Sequence, residues 1–231
     1  MPDRSAEARL AEYLAFARQR PELFGPADAA VRILLDPADI RAVEADMAAE
    51  LRERGLPEGG AEIGIISQDA YILFLRDAVE FPDGARRTHT RTINRFGNGA
   101  AALPIFDGKI VLTRQFRHAM RGWSLEIPRG AIEPGETPEQ AAAAEVQEEV
   151  GGEIRDLVEL GFIHGSTNLH GNGAHMFFGR MIRIGAPQIE EAIASVEQVT
   201  IPEFERMLVR NEITDSVTVA AFLHARLRGL I

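Results

Sequence analysis

Cysteine is absent from the 231 residues of this chain. Its absence excludes disulfide bonds, thiolate nucleophiles and zinc sites built from cysteine, and we expect a reducing, cytoplasmic location. Long apolar runs are missing too, because stretches such as Ile63 to Ile66 and Tyr71 to Leu75 are far too short to cross a bilayer. The opening residues MPDRSAEARL lack the basic patch and apolar stretch of a secretory signal. We therefore expect no membrane partner.

Positive charge is scarce, and the formal net charge is −10. Nonspecific binding to nucleic acid or to an anionic membrane needs a basic surface, so neither is expected as a partner. A small phosphorylated ligand stays compatible with the acidic total, because metal ions and a few arginines reverse the sign of the charge at a site. Apolar residues make up 45% and charged residues 26%, which is typical of a globular protein.

The N-terminal part, residues 1–60, is rich in alanine and predicts two helices. One is expected over roughly residues 6 to 19 and ends before Pro21. The second opens at Asp36-Pro37, a capping residue followed by proline at the first helical position, and it ends at Gly55. A break rich in proline and glycine at residues 56–60 separates this helical segment from the rest of the chain.

From Glu62 onwards the apolar pattern changes to that of strands. Strands are predicted over residues 63–67, 70–79, 88–95, 100–106, 109–116, 157–164 and 174–184, and helices over 138–150, 202–209 and 216–227. Asp107-Gly108 is the strongest hairpin signal in the chain. Strands interleaved with helices in this order predict an α+β or α/β protein with a mixed sheet between helices.

The segment most informative about chemistry runs from Gly130 to Gly152 and reads GAIEPGETPEQAAAAEVQEEVGG. Residues 137–140 form a capping box with proline at the first helical position, so a helix begins there. Glu145, Glu148 and Glu149 are spaced so that they share one face of it. Three such charges repel each other unless a cation lies among them, and carboxylates are the ligands that Mg²⁺ and Mn²⁺ prefer. A solvated acidic face is the alternative for the glutamates taken alone.

The loop before this helix favours the metal site. Gly130 precedes Glu136 by six positions, and Glu136 precedes Glu145 by nine. This spacing resembles the Nudix box, G-x5-E-x7-R-E-U-x-E-E-x-G-U, in which U is aliphatic. Seven of its nine specified positions match: Gly130, Glu136, Glu145, Val146, Glu148, Glu149 and Gly151. Two positions depart, since Ala144 stands at the arginine and Gly152 at the final aliphatic residue.

The resemblance covers about residues 62 to 228, and it extends to the ADP-ribose pyrophosphatase branch of the Nudix hydrolases. Outside the box it is carried by the runs LTRQFR at 112–117, LEIPRG at 125–130 and NEITDSVT at 211–218. It implies a Nudix-type α/β/α sandwich with a mixed sheet over residues 97–231. We expect an antiparallel β extension over residues 61–96, preceded by the helical segment of residues 1–60.

The resemblance also implies a metal-dependent hydrolase. Its expected substrate is a nucleoside diphosphate linked to another moiety, with ADP-ribose or a nucleotide sugar foremost, and its expected cofactor is Mg²⁺ or Mn²⁺. Glu145 and Glu149 would be metal ligands, with Glu148 a third ligand or a partner through water. The backbone carbonyl of Arg129 would complete the set. The three glutamates are also the expected catalytic residues, because the metal stabilises phosphoryl charge and helps to ionise water.

Further residues are expected to support this site or to bind substrate. Gly130 would permit a tight turn that brings the backbone carbonyl to the metal, and Glu136 would support the ligands. Arg117 matches an arginine that contacts the diphosphate in this branch, and its planar fork suits phosphate. Arg114 adds positive charge nearby. Glu126 either binds an amino group of a nucleobase or orients the loop.

Two departures leave the water-activating group open. The arginine that is missing at position 144 normally braces the carboxylates, and Arg129 is a candidate for that task. Asn172 stands where this branch has a glutamate that acts as a base or an extra metal ligand, and asparagine is no general base. His170 and His175 are alternatives, because histidine suits proton transfer. Each is also consistent with an ordinary loop or strand residue.

These departures favour a second class of function, a Nudix-like ligand-binding or regulatory module with weak or no turnover. The complete set of three glutamates on the helix favours an enzyme instead. Members of this branch often pair through the N-terminal strands that precede the core. We therefore expect a homodimer that acts on a small-molecule nucleoside diphosphate derivative.

Overall fold

The computed structural model describes residues 5–26, 28–186 and 192–231. Within them the chain divides into two compact units. The first contains the described residues up to Arg95 together with Asn168–Gly171, a short piece of a later loop. The second contains those of Phe96–Thr167 and Asn172–Ile231. None of the helices in the described ranges is both long and apolar enough to cross a membrane.

The first unit is an antiparallel sheet packed with helices. Its helices are α1 (Ala6–Gln19) and α2 (Pro37–Glu53), and its strands are β1 (Arg32–Ile33), β2 (Gly64–Gln68), β3 (Ile72–Glu80) and β4 (Arg86–Asn94). Two short 3₁₀ turns lie at Pro21–Leu23 and Glu58–Ala61. Strand β3 is central, because it pairs with β1, β2 and β4. Helix α2 begins at the predicted cap, where the Asp36 side chain accepts hydrogen bonds from the backbone N–H groups of Ala38 and Asp39.

A buried polar contact fixes how α1 packs on this sheet. The Tyr13 hydroxyl donates to Asp77 Oδ1 at 2.5 Å, and Arg91 Nε donates to Asp77 Oδ2 at 2.5 Å. Tyr13 and Asp77 are both buried. Burial, followed by the charge of Asp77, raises the pKa of the Tyr13 hydroxyl, so that it stays a neutral donor. A buried carboxylate without partners is costly, so this contact disfavours other placements of α1.

The second unit is a mixed sheet between helices. Its strands are β5 (Gly99–Phe106), β6 (Lys109–Arg117), β7 (Gly122–Glu126), β8 (Arg129–Ala131), β9 (Glu153–His164), β10 (Gly173–Arg183) and β11 (Ile193–Thr200). Its helices are α3 (Pro138–Val150), α4 (Ile201–Val209) and α5 (Ser216–Leu227). The strand order is β11-β6-β5-β10-β9, with β7 added beside β6 and β8 beside β5. Strands β5 and β10 run parallel and the other described pairs antiparallel.

Helices cover both faces of this sheet. On one face α3 packs against side chains that include Ala100, Ala102 and Val111. On the opposite face α4 and α5 pack against Leu103 and Leu112, among others. Successive side chains of a strand point to opposite faces, which is why neighbouring residues of β5 and β6 enter different cores. The predicted α/β/α sandwich with a mixed sheet is confirmed.

The longer elements lie where the sequence predicts them, while several short strands were not predicted. The helices expected at residues 6–19, 138–150 and 216–227 are α1, α3 and α5 with the same bounds. Strands β1, β7 and β8 have two to five residues, too few for an alternating pattern to be visible. Strand β11 has no fully buried residue, so its apolar signal is weak. The break at residues 56–60 lies inside the first unit, and the second unit begins at Phe96.

The end of α3 explains why glycine occupies the final aliphatic position of the box. Gly151 has a φ of 63° and ends the helix in the left-handed conformation. A Cβ on Gly152 would overlap Met181 Cε and lie 2.7 Å from the carbonyl oxygen of Arg183. The methionine side chain has room to adjust, but the carbonyl belongs to β10 and moves only with the strand. The close approach of these two backbones therefore requires glycine at position 152.

We predict that Gly152→Ala lowers the free energy of unfolding by about 1–3 kcal/mol, because the added methyl group overpacks the junction with β10. Gly165→Ala is the matched control, since a Cβ there would meet no atom within 4 Å. That control is expected to change stability by less than about 0.5 kcal/mol. Urea unfolding followed by circular dichroism measures both variants. Equal free energies of unfolding for the two would contradict the prediction.

Candidate active site

Helix α3 presents three glutamates in three different environments. The helix begins at the predicted capping box, in which the Thr137 side chain accepts from Gln140 N and the Gln140 side chain accepts from Thr137 N. Glu149 is buried with 2% of its surface exposed, Glu145 is half-buried and Glu148 is exposed. A carboxylate as buried as that of Glu149 needs charge or hydrogen-bond partners. The acidic face is therefore more than a solvated surface.

Gly130 lets the acidic helix approach the segment that leads into it. Gly130 lies on β8, where it pairs with Ala100 of β5. A Cβ at this position would overlap the carboxylate of Glu145, so the glutamate occupies the space that a side chain would fill. The backbone next to Gly130 carries the carbonyl of Arg129. The structure thus brings together Glu145 and the segment expected to supply the backbone ligand.

The chemistry of these groups fits a hard divalent cation, because carboxylate and carbonyl oxygens are the ligands that Mg²⁺ and Mn²⁺ prefer. In residues 5–26, 28–186 and 192–231, no three Asp, Glu or His side chains converge in a geometry that holds an ion. Three like charges on one helix face repel each other, so such convergence depends on a cation between them. The donor types are those that such a cation prefers, and the expected ligand set stays a prediction.

Glu126 is the buried centre of an ion-pair cluster at the end of β7. Its side chain is 2% exposed. Arg117, at the end of β6, donates Nε to both carboxylate oxygens at 3.1 Å and one Nη to Oε2 at 2.5 Å. Arg129 donates Nε and one Nη to the same Oε2 at 3.1 and 2.9 Å. Two guanidinium groups therefore share one carboxylate, which fits the loop-orienting interpretation of Glu126.

These arginines determine the ionisation of the cluster. Burial alone would raise the pKa of Glu126, but the hydrogen bond from Arg117 and the charges of Arg129 and Arg117 hold it below its ordinary value. Burial alone would lower the pKa of Arg117, yet Glu126 and the charges of Glu149 and Asp215 hold it above its ordinary value. Glu126 and Arg117 are therefore both charged at neutral pH. Arg117 also experiences the charge of the buried glutamate on α3.

The start of α5 joins the same cluster, which sequence reasoning did not predict. Arg129 Nη donates to Asp215 Oδ1 at 3.1 Å, and Asp215 is the capping residue of α5. Thr218 Oγ1 accepts from the backbone N–H of Ile127 at 3.0 Å. In the sequence, the run NEITDSVT contributes only to the resemblance. Its signal for the site is Asp215 followed three residues later by Thr218, a pair that predicts a cap but not its partner.

Arg114 lies apart from this cluster. It is on the same strand as Arg117 but three residues earlier, and alternation along β6 places the two side chains on opposite faces of the sheet. The Arg114 guanidinium lies 5.5 Å from the ring centroid of Trp123, which itself packs edge-on against Phe116. The structure therefore does not bring Arg114 together with Glu126. Its role in substrate binding stays a prediction.

The two histidines considered as bases lie in different units. His170 belongs to the first, where its Nδ1 lies 2.5 Å from Thr92 Oγ1. His175 lies on β10 beside Ala100, and Ala100 pairs on its other side with Gly130. Residues in one row of a sheet point to the same face. His175 therefore shares the α3 face with Glu145, about 10 Å from Gly130 across two strand spacings.

The remaining predicted positions lie around α3 and β10. Glu136 is exposed and its Oε2 accepts from Glu133 N at 3.3 Å, so it closes the loop before the helix. Ala144 is half-buried on α3. Arg129, the candidate for bracing the carboxylates in its place, bonds to Glu126 and to the cap of α5. Asn172 directly precedes β10.

Known proteins share this sequence pattern and fold. Residues 95–212 match the family described as NUDIX domain. The chain is 27% identical over 168 residues to the ADP-ribose pyrophosphatase of Bacillus subtilis (strain 168), which spans 71% of this chain and 89% of that protein. It is 28% identical over 156 residues to the methanol dehydrogenase activator of Bacillus methanolicus, spanning 66% and 83%. A crystal structure of an ADP compounds hydrolase superposes on this chain with a TM-score of 0.62 at 21% identity. The superposition covers 72% of this chain and 91% of that chain, so the two proteins share their fold.

We predict that Glu126→Gln lowers the free energy of unfolding by about 2–3 kcal/mol at neutral pH, because two partly exposed arginines lose a charged partner. The folded-state pKa of Glu126 is lowered. Its contribution is therefore fully present above the unfolded-state pKa and is lost as pH falls through the lower folded-state pKa. Urea unfolding over a series of pH values from neutral to acid measures the difference between the two proteins.

Glu203→Gln is the matched control for this variant. Glu203 also pairs with two arginines, Arg206 and Arg210, but on the surface of α4. Exposed ion pairs contribute little, so no measurable loss is expected there. A loss at position 126 that equals the control, or that stays constant from neutral to acid pH, would contradict the buried carboxylate as the centre of the cluster.

Proposed function

This chain belongs to the Nudix domain family and is a Nudix-type pyrophosphohydrolase, and on that premise we propose that it cleaves the diphosphate bond of an ADP-ribose-like nucleoside diphosphate derivative with the help of Mg²⁺ or Mn²⁺. The observation that carries the proposal is the contact between Gly130 and Glu145, which joins the acidic helix to the segment leading into it. The name of the Bacillus subtilis relative makes ADP-ribose the first substrate to test.

The acidic half of the proposed site is carried by α3. Glu145, Glu149 and the backbone carbonyl of Arg129 would hold the cation, and Glu148 would act directly or through water. When bound, the cation neutralises charge on the diphosphate and favours ionisation of the attacking water. Glu149 supports this assignment because it keeps a carboxylate in a buried position on α3, at high desolvation cost.

The cationic half of the proposed site is carried by Arg117 and Arg129. A guanidinium has five N–H donors, and the hydrogen bonds to Glu126 use only part of them. Glu126 holds both planar groups in defined positions, which suits bidentate contacts with phosphate oxygens. Substrate charge would thus be met by cations from the chain as well as by the metal. Glu126 and Asp215 balance the charges of the two arginines, so the unused N–H donors, rather than a net positive charge, would contact an anionic ligand.

A ligand-binding or regulatory module with weak turnover is the second candidate. It is favoured by Ala144, which removes a basic residue from the box. The relative from Bacillus methanolicus is named an activator rather than a hydrolase. The homodimer expected from the resemblance stays a prediction. Turnover measurements decide between the two candidates.

We predict that wild-type protein hydrolyses ADP-ribose in the presence of Mg²⁺ or Mn²⁺, and that Glu149→Gln lowers the turnover number at least about 100-fold by removing a charged ligand. A panel of nucleotide sugars, with products separated by anion-exchange chromatography, measures this and ranks substrates. Glu139→Gln is the matched control, because Glu139 is exposed in the first turn of the same helix. Turnover by the wild type no faster than by Glu149→Gln would favour the ligand-binding module.

His175 is the histidine better placed to activate water, because it shares a sheet row and a face with the Glu145 contact. We predict that His175→Ala lowers the turnover number by about 10²-fold, with little change in KM. His170→Ala should leave both nearly unchanged, since its hydrogen bond is with Thr92 in the first unit. A large loss in the His170 variant alone would reverse the assignment.

A further inference from the structure

The match to the family ends at residue 212, and helix α5 begins a few residues later at the cap Asp215. We propose that Asp215 and Thr218 are positioning residues that hold the segment Ile127–Arg129 in place for the reaction. This proposal rests on the proposed function, because it assumes that Arg129 serves the metal and the diphosphate. Neither residue touches the reacting groups in this assignment; both act through Ile127 and Arg129.

Thr218 connects α5 to the backbone of the lead-in segment. Its hydroxyl donates to Asp215 Oδ2 at 2.8 Å and accepts from Ile127 N at 3.0 Å. The donor and an acceptor site of the hydroxyl are thus both used, which fixes its orientation. Thr218 is fully buried. Without this hydroxyl, the N–H of Ile127 would lose its partner in a place that water does not easily reach.

Asp215 connects α5 to the side chain of Arg129. Oδ2 accepts from Thr218 N at 2.9 Å, which is the ordinary contact of a helix cap. Oδ1 accepts from Arg129 Nη at 3.1 Å, and the same Nη lies 2.9 Å from Glu126 Oε2. Arg129 is therefore held between two carboxylates. Through Glu126 the connection extends to Arg117, the other guanidinium of the cluster.

Other caps in this chain show that these contacts exceed what capping needs. Thr200, the cap of α4, accepts a hydrogen bond from Glu203 N, three residues along the same helix. Asp36, the cap of α2, accepts from Ala38 N and Asp39 N, again within its own helix. Asp215 and Thr218 add two bonds to residues 86 and 91 positions away in sequence. Those added bonds reach the one segment that joins β7 to β8.

The pair acts on two atoms of Arg129 by separate routes. Thr218 fixes the backbone two residues before Arg129, and hence the direction of the carbonyl expected to face the cation. Asp215 fixes the guanidinium expected to face the diphosphate. Loss of Thr218 should therefore reduce metal affinity and the turnover number, whereas neutralising Asp215 should mainly raise KM. Partners behind the ligands typically change metal affinity or activity by about 10–100-fold when removed.

The test compares Thr218→Val, Thr218→Ser and Asp215→Asn in the full chain. We expect Thr218→Val to weaken Mn²⁺ binding and lower kcat by about 10-fold each, with Thr218→Ser within about 3-fold of wild type because it keeps the hydroxyl. We expect Asp215→Asn to raise the KM for ADP-ribose by about 10-fold with a smaller change in kcat. Mn²⁺ binding is measured without substrate by electron paramagnetic resonance, and hydrogen exchange of the Ile127 amide reports its contact with Thr218.

Thr200→Val and Asp36→Asn are the matched controls, because they alter caps of the same residue types outside the site. They should change thermal stability only. If Thr218→Val and Asp215→Asn change only thermal stability as well, the positioning role is overturned while wild-type turnover upholds the proposed function. If the wild type binds Mn²⁺ but turns over no substrate, the proposed function fails. In that case the positioning role is still tested by Mn²⁺ binding, and it is overturned if Thr218→Val binds Mn²⁺ as tightly as the wild type. If Thr218→Val does not fold, an unchanged KM for ADP-ribose in Asp215→Asn overturns the positioning role.

Discussion

A carboxylate buried at the end of β7 constrains the arrangement of the candidate site. Glu126 keeps its charge at 2% exposure because Arg117 and Arg129 both bond to it. Burying an unpaired charge would cost several kcal/mol, so the two arginines and the carboxylate are placed together or not at all. This requirement fixes the end of β6 and the start of β8 relative to β7. The ion-pair cluster therefore also positions the start of β8, the segment that approaches α3.

The acidic helix meets this segment at the one residue without a side chain. Glu145 fills the space beside Gly130, and a strand residue with a Cβ would displace the carboxylate from this position. The helix itself is set by local signals, a capping box at Thr137 and a left-handed glycine at its end. Rigid elements therefore carry the carboxylates, while the arginines come from strand ends. Such a division would suit the proposed site, in which the carboxylates hold a cation and the arginines contact the anionic substrate.

The sequence reveals the local part of this arrangement and conceals the part that depends on tertiary contacts. Helix α3 was predictable residue by residue, because caps, alanines and glycines act within a few positions along the chain. The spacing from Gly130 to Glu145 predicted, through a resemblance, that both residues belong to one site, with Gly130 permitting a tight turn. It did not predict that the Glu145 carboxylate fills the space beside Gly130 on β8. The partnership of Asp215 with Arg129 joins residues 86 positions apart, and no periodic pattern encodes it. Arg114 is the opposite case: it is close to Arg117 in sequence, but the alternation of side chains along β6 places the two on opposite faces of the sheet.

The two departures from the box differ in physical kind, and the structure accounts for them differently. Glycine at position 152 is required sterically, because the Arg183 carbonyl lies where a larger residue would place its Cβ. Alanine at position 144 removes a charge, and a missing charge is not restored by packing. The pKa of Arg117 is raised by Glu126 first and by Glu149 after it, so a cation of β6 already acts on the buried glutamate of α3. Glu126, rather than the helix, holds Arg117 by hydrogen bonds, so the charge of Glu149 acts on a guanidinium whose position is set elsewhere. The acidic helix and the ion-pair cluster are therefore coupled electrostatically through Glu149 and Arg117, although they lie on separate elements of the sandwich.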